Sequence, residues 1–136
     1  MKNLILTLLF LPVVALAADY KILRVIDGDT VEFEASFLPD PLPKKLKLRI
    51  LGIDTPEKGH RAQCPREAEL GEKATEMAKR LVLKANKKEI ILKEWDKFGG
   101  RVLGDLILDG KSMKDSLIAA GLAREYFGDK KKSWCD

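Results

Sequence analysis

The chain has 136 residues, of which 34% are charged and 46% hydrophobic, and its formal net charge at pH 7 is +4. This length suits one modest domain, and the sequence shows no internal repeat or second domain boundary. Two cysteines and one histidine disfavour a structural zinc site. A basic surface attracts polyanions, but mild basicity is also ordinary for a soluble protein, so charge alone identifies no partner.

The first 17 residues have the pattern of a secretory signal peptide. Lys2 precedes an uncharged apolar run over residues 4–14, and Ala15-Leu16-Ala17 follows as a small-x-small cleavage site. An uncleaved membrane anchor is the weaker alternative, because the run is shorter than the roughly 20 residues that span a bilayer. We therefore predict cleavage after Ala17, a mature domain over residues 18–136 without a membrane segment, and a periplasmic or secreted protein.

Export gives the two cysteines a specific meaning. Disulfides persist in oxidising compartments, so we predict that Cys64 pairs with Cys135. Such a bond would join the C-terminal tail to the loop after Glu57. Two free thiols or an intermolecular bridge are the alternatives.

Three strands are predicted at the start of the mature chain, because apolar or β-branched residues alternate with polar ones over residues 20–26, 30–37 and 45–53. The first two strands flank a tight turn at residues 27–29, and a proline-rich break at residues 39–43 precedes the third. In the third strand the apolar side chains share one face. Arg49 therefore points away from the core and is available to a ligand.

The second half of the chain begins with a predicted amphipathic helix. Pro65 suits the first helical turn, and apolar residues recur at helical spacing through Ala85. Gly71 weakens the first half, so a later start is the alternative. Beyond it we predict two strands, over residues 88–95 and 101–108, and a second helix over residues 112–121. This helix has a capping-box variant at Ser112 and a C′ glycine at Gly121.

The predicted order is therefore β-β-β-α-β-β-α. It indicates a mainly β protein with α-helices, a five-stranded Greek-key barrel of the OB type with two or three helices, a fold whose face and loops commonly bind nucleic acid or sugar. Four aromatic residues are predicted to be packing residues rather than a base-stacking platform, namely Phe33, Phe37, Trp95 and Trp134.

Two aspartates are candidate metal ligands. Asp29 and Asp54 each lie at a strand end beside a turn, so a barrel could bring them into one cleft, where carboxylates, a backbone carbonyl and waters would satisfy a calcium ion. Such a site would also accept Mg²⁺ or Mn²⁺. Asp-Gly and Asp-Thr-Pro are favoured at turns whatever the function, and this alternative stays open for each motif taken alone.

Three further charged residues are candidates for phosphate chemistry. Glu57 follows Pro56, which stiffens the segment, and a carboxylate held near a water can act as general base; a solvated loop glutamate is the alternative. Arg49 and Arg101 suit phosphate binding, because a planar guanidinium donates two parallel hydrogen bonds and stays charged. Surface arginines near strands are also common, so neither is specific by itself.

Taken together, the motifs resemble a known family. Three segments are similar to the signatures of the staphylococcal nuclease (thermonuclease) family, namely residues 25–31, 48–57 and 96–103. The resemblance runs from about Tyr20 to Tyr126 and includes Gly121-Leu122-Ala123-Arg124. It implies a staphylococcal-nuclease-like OB-fold domain that hydrolyses DNA and RNA with calcium by water attack on phosphorus and leaves 3′-phosphate ends. It also favours a monomer.

Residue by residue, the resemblance implies calcium ligation by Asp29, Asp54 and the backbone carbonyl of Thr55. It implies that Glu57 is the general base or orients the water. It further implies that Arg49 and Arg101 bind phosphate. We interpret Asp27 and Asp96 as turn residues rather than as ligands.

The chain also departs from the family pattern. Phe98 stands where the family often has tyrosine, and Gly99-Gly100 before Arg101 is one glycine longer than usual. The founding member's third helix has no counterpart, and we hypothesise that the Cys64–Cys135 disulfide substitutes for it. Because fold does not determine function, a non-enzymatic binding domain and an interaction module that binds calcium only for stability are the rival hypotheses.

Overall fold

The computed structural model describes residues 17–136. Except for Ala17, the predicted signal peptide at residues 1–17 lies outside the described residues. Within the described range, no helix is both long and apolar enough to cross a lipid bilayer.

Over residues 17–136 the chain forms eight strands, two α-helices and one 3₁₀ turn. The strands are β1 Ile22–Asp27, β2 Thr30–Glu34, β3 Lys45–Ile50, β4 Ile53–Asp54, β5 Lys88–Trp95, β6 Arg101–Leu108, β7 Lys111–Ser112 and β8 Arg124–Glu125. The helices are α1 Pro65–Lys84 and α2 Met113–Ala119, and the 3₁₀ turn is Gly59–Arg61. The five long strands are the predicted ones, whereas β4, β7 and β8, each of two residues, were not predicted.

The long strands form one curled sheet in the order β1-β2-β3-β6-β5. Neighbours run antiparallel except β3 and β6, which are parallel. Ala18 exchanges two backbone hydrogen bonds with Ile90 of β5, at 2.9 and 3.1 Å, and so connects the segment before β1 to the opposite edge strand. This architecture confirms the predicted mainly β, OB-type fold with two helices.

The core lies inside the curl of the sheet. Alternate residues of β2, β3 and β6 point inward, as period-2 patterning requires, and side chains with no exposed surface include Val31, Phe33, Leu48, Ile50 and Leu106. The helices cover this core with small and apolar residues, among them Ala78 of α1 and Leu117 of α2.

Helix α1 begins at Pro65, as predicted, with Cys64 as its N-cap residue. Gly71 lies within α1 and does not delay the start of the helix. Its position needs a residue without a side chain. A Cβ atom there would lie 2.4 Å from the carbonyl oxygen of Glu57. The glycine thus lets α1 pack directly against the loop that carries a predicted site residue.

Helix α2 ends as predicted, but its start lacks the predicted capping bond. Gly121 has a φ of +73°, the left-handed conformation that a C′ glycine supplies. The predicted capping box is wrong, because Ser112 makes no side-chain cap bond. Its hydroxyl instead donates to Asp105 at 2.8 Å, since the tight β6–β7 pairing brings these two side chains together.

The predicted disulfide is confirmed. Cys64 and Cys135 are bonded with their Cα atoms 6.0 Å apart, within the usual range for a disulfide. The bond joins the start of α1 to the C-terminal tail across a sequence separation of 71.

Replacing both cysteines by serine should destabilise the protein by about 4 kcal/mol, since the unfolded chain regains the entropy of a long loop. Urea unfolding of the double variant and the unmodified protein, both without reductant, measures this difference. Equal midpoints and equal slopes would contradict it.

Candidate active site

The candidate site lies where the β1–β2 turn meets β3 and β4. In the β2–β3 pairing Thr30 is opposite Arg49, and the backbone N–H of Ile50 donates to the carbonyl oxygen of Asp29 at 2.8 Å. This register brings Asp29 alongside Arg49, although 20 residues separate them in the sequence.

The carboxylate of Asp29 is the centre of a compact polar network. Its Oδ1 accepts a hydrogen bond from the hydroxyl of Thr30 at 2.9 Å, and its Oδ2 accepts one from the hydroxyl of Thr55 at 3.0 Å. Nη2 of Arg49 lies 3.4 Å from the same Oδ2. Three of the predicted site residues, Asp29, Arg49 and Thr55, are therefore in direct contact.

Arg49 is held in place by backbone carbonyls as well. Nη2 donates to the carbonyl oxygen of Ile53 at 3.1 Å, and Nη1 donates to that of Ile50. Its side chain is only 16% exposed. Because a guanidinium has five N–H donors, these contacts leave others for an incoming anion.

Asp54 lies at the end of β4 and is buried, with 7% of its surface exposed. Its Oδ2 accepts a hydrogen bond from the indole Nε1 of Trp134 at 3.1 Å, and Nζ of Lys131 is 3.2 Å from Oδ1. Both of its partners thus belong to the C-terminal tail. Trp134 is buried, whereas Trp95 and Phe37 are more than half exposed; the ring of Phe37 still lies 5.8 Å from that of Tyr20.

Glu57 is half-buried in the loop between β4 and α1, and its backbone is tied to the helix. Its N–H donates to the buried carboxylate of Glu67 at 3.2 Å, and the N–H of Gln63 donates to the other oxygen at 2.8 Å. A cleft of about 460 Å³ opens beside this loop, and its walls include Asp54, Thr55, Glu57, Lys131 and Trp134. The cleft is therefore bordered by carboxylates on one side and by the basic tail on the other.

Asp27 also faces the site, which its assignment as a turn residue did not anticipate. Its Oδ1 is buried and has no hydrogen-bond partner within residues 17–136. Burial, followed by the negative charge of Asp29 and a smaller effect of Glu57, raises the pKa of Asp27 to about 7. The Asp27-Gly28-Asp29 motif was the available signal, because a tight turn directly after β1 keeps the two aspartates close together.

Arg101 takes a different position from Arg49. It pairs with Lys47 in the parallel β3–β6 register, so its side chain lies on the same sheet face as those of Lys47 and Arg49. Its Nε donates to the carboxylate of Asp96, and its guanidinium carbon lies 4.7 Å from the ring centroid of Phe98. Burial opposes ionisation of Asp96, but the bonds from Arg101 and from the N–H of Lys97 outweigh it and lower the pKa of Asp96.

Comparison with known families identifies the relationship. The family described as "Staphylococcal nuclease homologue" matches residues 47–134, a span that includes most of β3, both helices and most of the tail. The chain belongs to the staphylococcal nuclease family.

Curated relatives of this staphylococcal nuclease homologue carry nuclease names. It is 34% identical over 109 residues to the thermonuclease of Staphylococcus hyicus, covering 79% of this chain and 59% of the relative. It is 34% identical over 103 residues to endonuclease YncB of Bacillus subtilis, covering 74% and 44%. An uncharacterized endonuclease of Escherichia coli is 29% identical over 116 residues, covering 85% and 65%. The chain thus spans between 44% and 65% of the length of these relatives.

The donor atoms of this staphylococcal nuclease homologue suit a hard cation. Carboxylates and backbone carbonyls are the ligands that Ca²⁺ prefers. The buried Oδ1 of Asp27, which has no partner in the described part of the chain, is an acceptor that a cation or its bound water would satisfy. Within residues 17–136 no group of three or more His, Cys, Asp or Glu side chains is arranged to hold a metal ion. A cation here would therefore depend on carbonyl oxygens and water for most of its ligands.

The raised pKa of Asp27 predicts a pH dependence of stability. Because the folded protein holds this proton up to about pH 7 whereas an unfolded aspartate loses it near pH 4, stability should fall as the pH rises from about 4 through 7. Asp27→Asn removes the titrating carboxyl group. The free energy of unfolding of this variant should therefore fall less than that of the unmodified protein between pH 5 and pH 8.

Thermal unfolding at both pH values in EDTA measures the difference. Asp115→Asn, at an aspartate in the first turn of α2, is the matched control. An unchanged pH dependence in Asp27→Asn would show that Asp27 does not titrate in this way.

Proposed function

We propose that this chain is an exported, calcium-dependent endonuclease. It hydrolyses phosphodiester bonds of DNA and RNA by attack of water on phosphorus and leaves 3′-phosphate ends. The observation that carries the proposal is the contact of Asp29 with both Arg49 and Thr55 beside a cleft bordered by Asp54 and Glu57. An acidic group for a cation and a fixed guanidinium for a phosphate are thus brought together, as a metal-dependent phosphodiesterase needs.

Arg49 is proposed as the main phosphate-binding residue. Its guanidinium is oriented by two carbonyl oxygens and by Asp29, so little reorganisation is needed when a phosphate arrives. Preorganised donors of this kind stabilise the charge that develops on phosphoryl oxygens in the transition state. Arg101 is proposed as the second phosphate contact, because it lies on the same sheet face and keeps Asp96 as its counter-ion.

Glu57 is proposed as the general base. Its backbone is anchored to Glu67 and its neighbour in space is Gly71 of α1, so the carboxylate starts from a fixed point at the edge of the cleft. From there it can accept a proton from, or orient, the attacking water.

Asp29, Asp54 and the carbonyl of Thr55 are proposed to hold Ca²⁺. When bound, the ion would neutralise negative charge on the phosphoryl oxygens. The hydroxyl of Thr55 and that of Thr30 orient the carboxylate of Asp29, which keeps it ready for the cation. Mg²⁺ or Mn²⁺ in place of Ca²⁺ is a matter of cavity size and rigidity.

We also propose export and a periplasmic or secreted location. The pattern of the first 17 residues supports this, and so does the Cys64–Cys135 disulfide, since disulfides persist in oxidising compartments. After removal of the signal peptide the protein is proposed to be a monomer that has no membrane segment and takes DNA and RNA as substrates.

Glu57→Gln and Arg49→Lys should each reduce cleavage about 10²–10³-fold, because each removes one preorganised group from the transition state. The measurement is the rate of cleavage of plasmid DNA and of single-stranded RNA in Ca²⁺, and again in EGTA, where the unmodified protein should be inactive. End-labelling after phosphatase treatment identifies the 3′-phosphate product.

Matched controls use the same chemical changes at exposed sites of α1, namely Glu72→Gln and Arg80→Lys, and these should cleave normally. Cleavage by Glu57→Gln at the unmodified rate would disprove the role of Glu57. Full activity of the unmodified protein in EGTA would disprove metal dependence, and no cleavage under any condition would favour a binding domain.

A further inference from the structure

The C-terminal tail contributes a residue that none of the proposed roles includes. Trp134 is buried, with 7% of its surface exposed, and its indole N–H points at Oδ2 of Asp54 from 3.1 Å. The two residues are 80 positions apart. We infer that Trp134 is a positioning residue that orients the carboxylate of Asp54 for the cation, so that the tail forms part of the metal site.

This inference rests on the proposed function, because it assigns Asp54 to a cation. The chemistry of the contact suits that role. An indole N–H is a neutral hydrogen-bond donor. It fixes the orientation of the Asp54 carboxylate, which keeps its negative charge and so still attracts a cation. With Oδ2 held, Oδ1 is the oxygen that remains for a metal.

The environment of Trp134 restricts its indole from several directions. The guanidinium carbon of Arg124 lies 3.7 Å from the ring centroid, and Nη1 of Arg124 donates to the carbonyl oxygen of Ser133 at 2.8 Å. Arg124 is itself the strand partner of Asp54 in the β4–β8 pair. The residue after Trp134 is Cys135, whose disulfide to Cys64 anchors the end of the tail. Arg124 therefore contacts the donor, Trp134, and is paired with the acceptor, Asp54.

Lys131 contacts the other oxygen of Asp54 and has the opposite effect. Its Nζ lies 3.2 Å from Oδ1, and its side chain is 50% exposed. The ammonium of Lys131 occupies the place beside Oδ1 that a metal cation would take. Because this side chain is exposed to solvent, the ion pair is weak. A divalent ion should therefore displace Lys131, which then remains at the cleft wall with a free positive charge for the phosphate backbone.

Replacing the two tail residues should therefore affect calcium binding differently. Trp134→Phe keeps a ring over Arg124 and removes only the N–H donor, so Ca²⁺ affinity should fall about 10-fold, the usual effect of losing a group that orients a metal ligand. Lys131→Gln removes the competing charge and should not weaken binding. Titration calorimetry with Ca²⁺ on the mature chain, without nucleic acid, measures both independently of activity.

Trp95→Phe is the matched control. The chain has two tryptophans, and Trp95 is 64% exposed, so its replacement should leave Ca²⁺ affinity unchanged. It also makes Trp134 the single tryptophan. The fluorescence of Trp134 in this variant should then change during a Ca²⁺ titration with the midpoint found by calorimetry, and this measurement needs no variant of Trp134.

The outcomes separate the inference from the proposed function. If the unmodified protein binds Ca²⁺ and Trp134→Phe binds it equally well, the inference is wrong and the proposed function stands. Equal losses of affinity in Trp134→Phe and Lys131→Gln would indicate general loosening of the tail and would also overturn the inference. If the unmodified protein binds no Ca²⁺ and cleaves no nucleic acid, both are wrong.

Discussion

The antiparallel register of β2 and β3 is the constraint on which both the core and the site depend. Val31 is paired with Leu48, and both are fully buried, while Thr30 is paired with Arg49 one position away. A slip of one residue would move every side chain of a strand to the opposite face. It would expose Leu48 and bury Arg49, so the free energy of core burial maintains the contact between Asp29 and Arg49.

The carboxylates near the site differ in the number of partners that offset their negative charge. Asp29 has two hydroxyl donors and a guanidinium, and Asp54 has an indole and an ammonium. Asp27, by contrast, has a buried oxygen without a partner among residues 17–136, and its pKa is raised to about 7 by burial and by the charge of Asp29. A buried charge without a partner is costly, and for this reason Asp27 keeps its proton up to about pH 7.

The tail shows how a small domain connects distant parts of its chain. The disulfide joins Cys64 at the start of α1 to Cys135, and β5, β6 and α2 lie between these two residues in the sequence. The same anchor lies one residue from Trp134 and therefore from the contact with Asp54. The covalent bond that restricts the unfolded chain also determines where the tail meets the site, which agrees with the hypothesis that it replaces a further helix.

The sequence by itself determined the five long strands, the start of α1 and the disulfide, because period-2 alternation, a proline in the first turn and two cysteines in an exported pattern are local or compositional signals. It also indicated the candidate residues Asp29, Arg49 and Asp54 through motifs. Only the tertiary structure decided which of them touch. The two-residue strands have too few residues for a period, the partner of Ser112 is supplied by β6, and the unpartnered oxygen of Asp27 depends on what packs around it. The bond between Trp134 and Asp54 likewise arises from the meeting of β4, β8 and the tail, because a local pattern specifies the face a side chain takes, whereas global packing decides which faces meet.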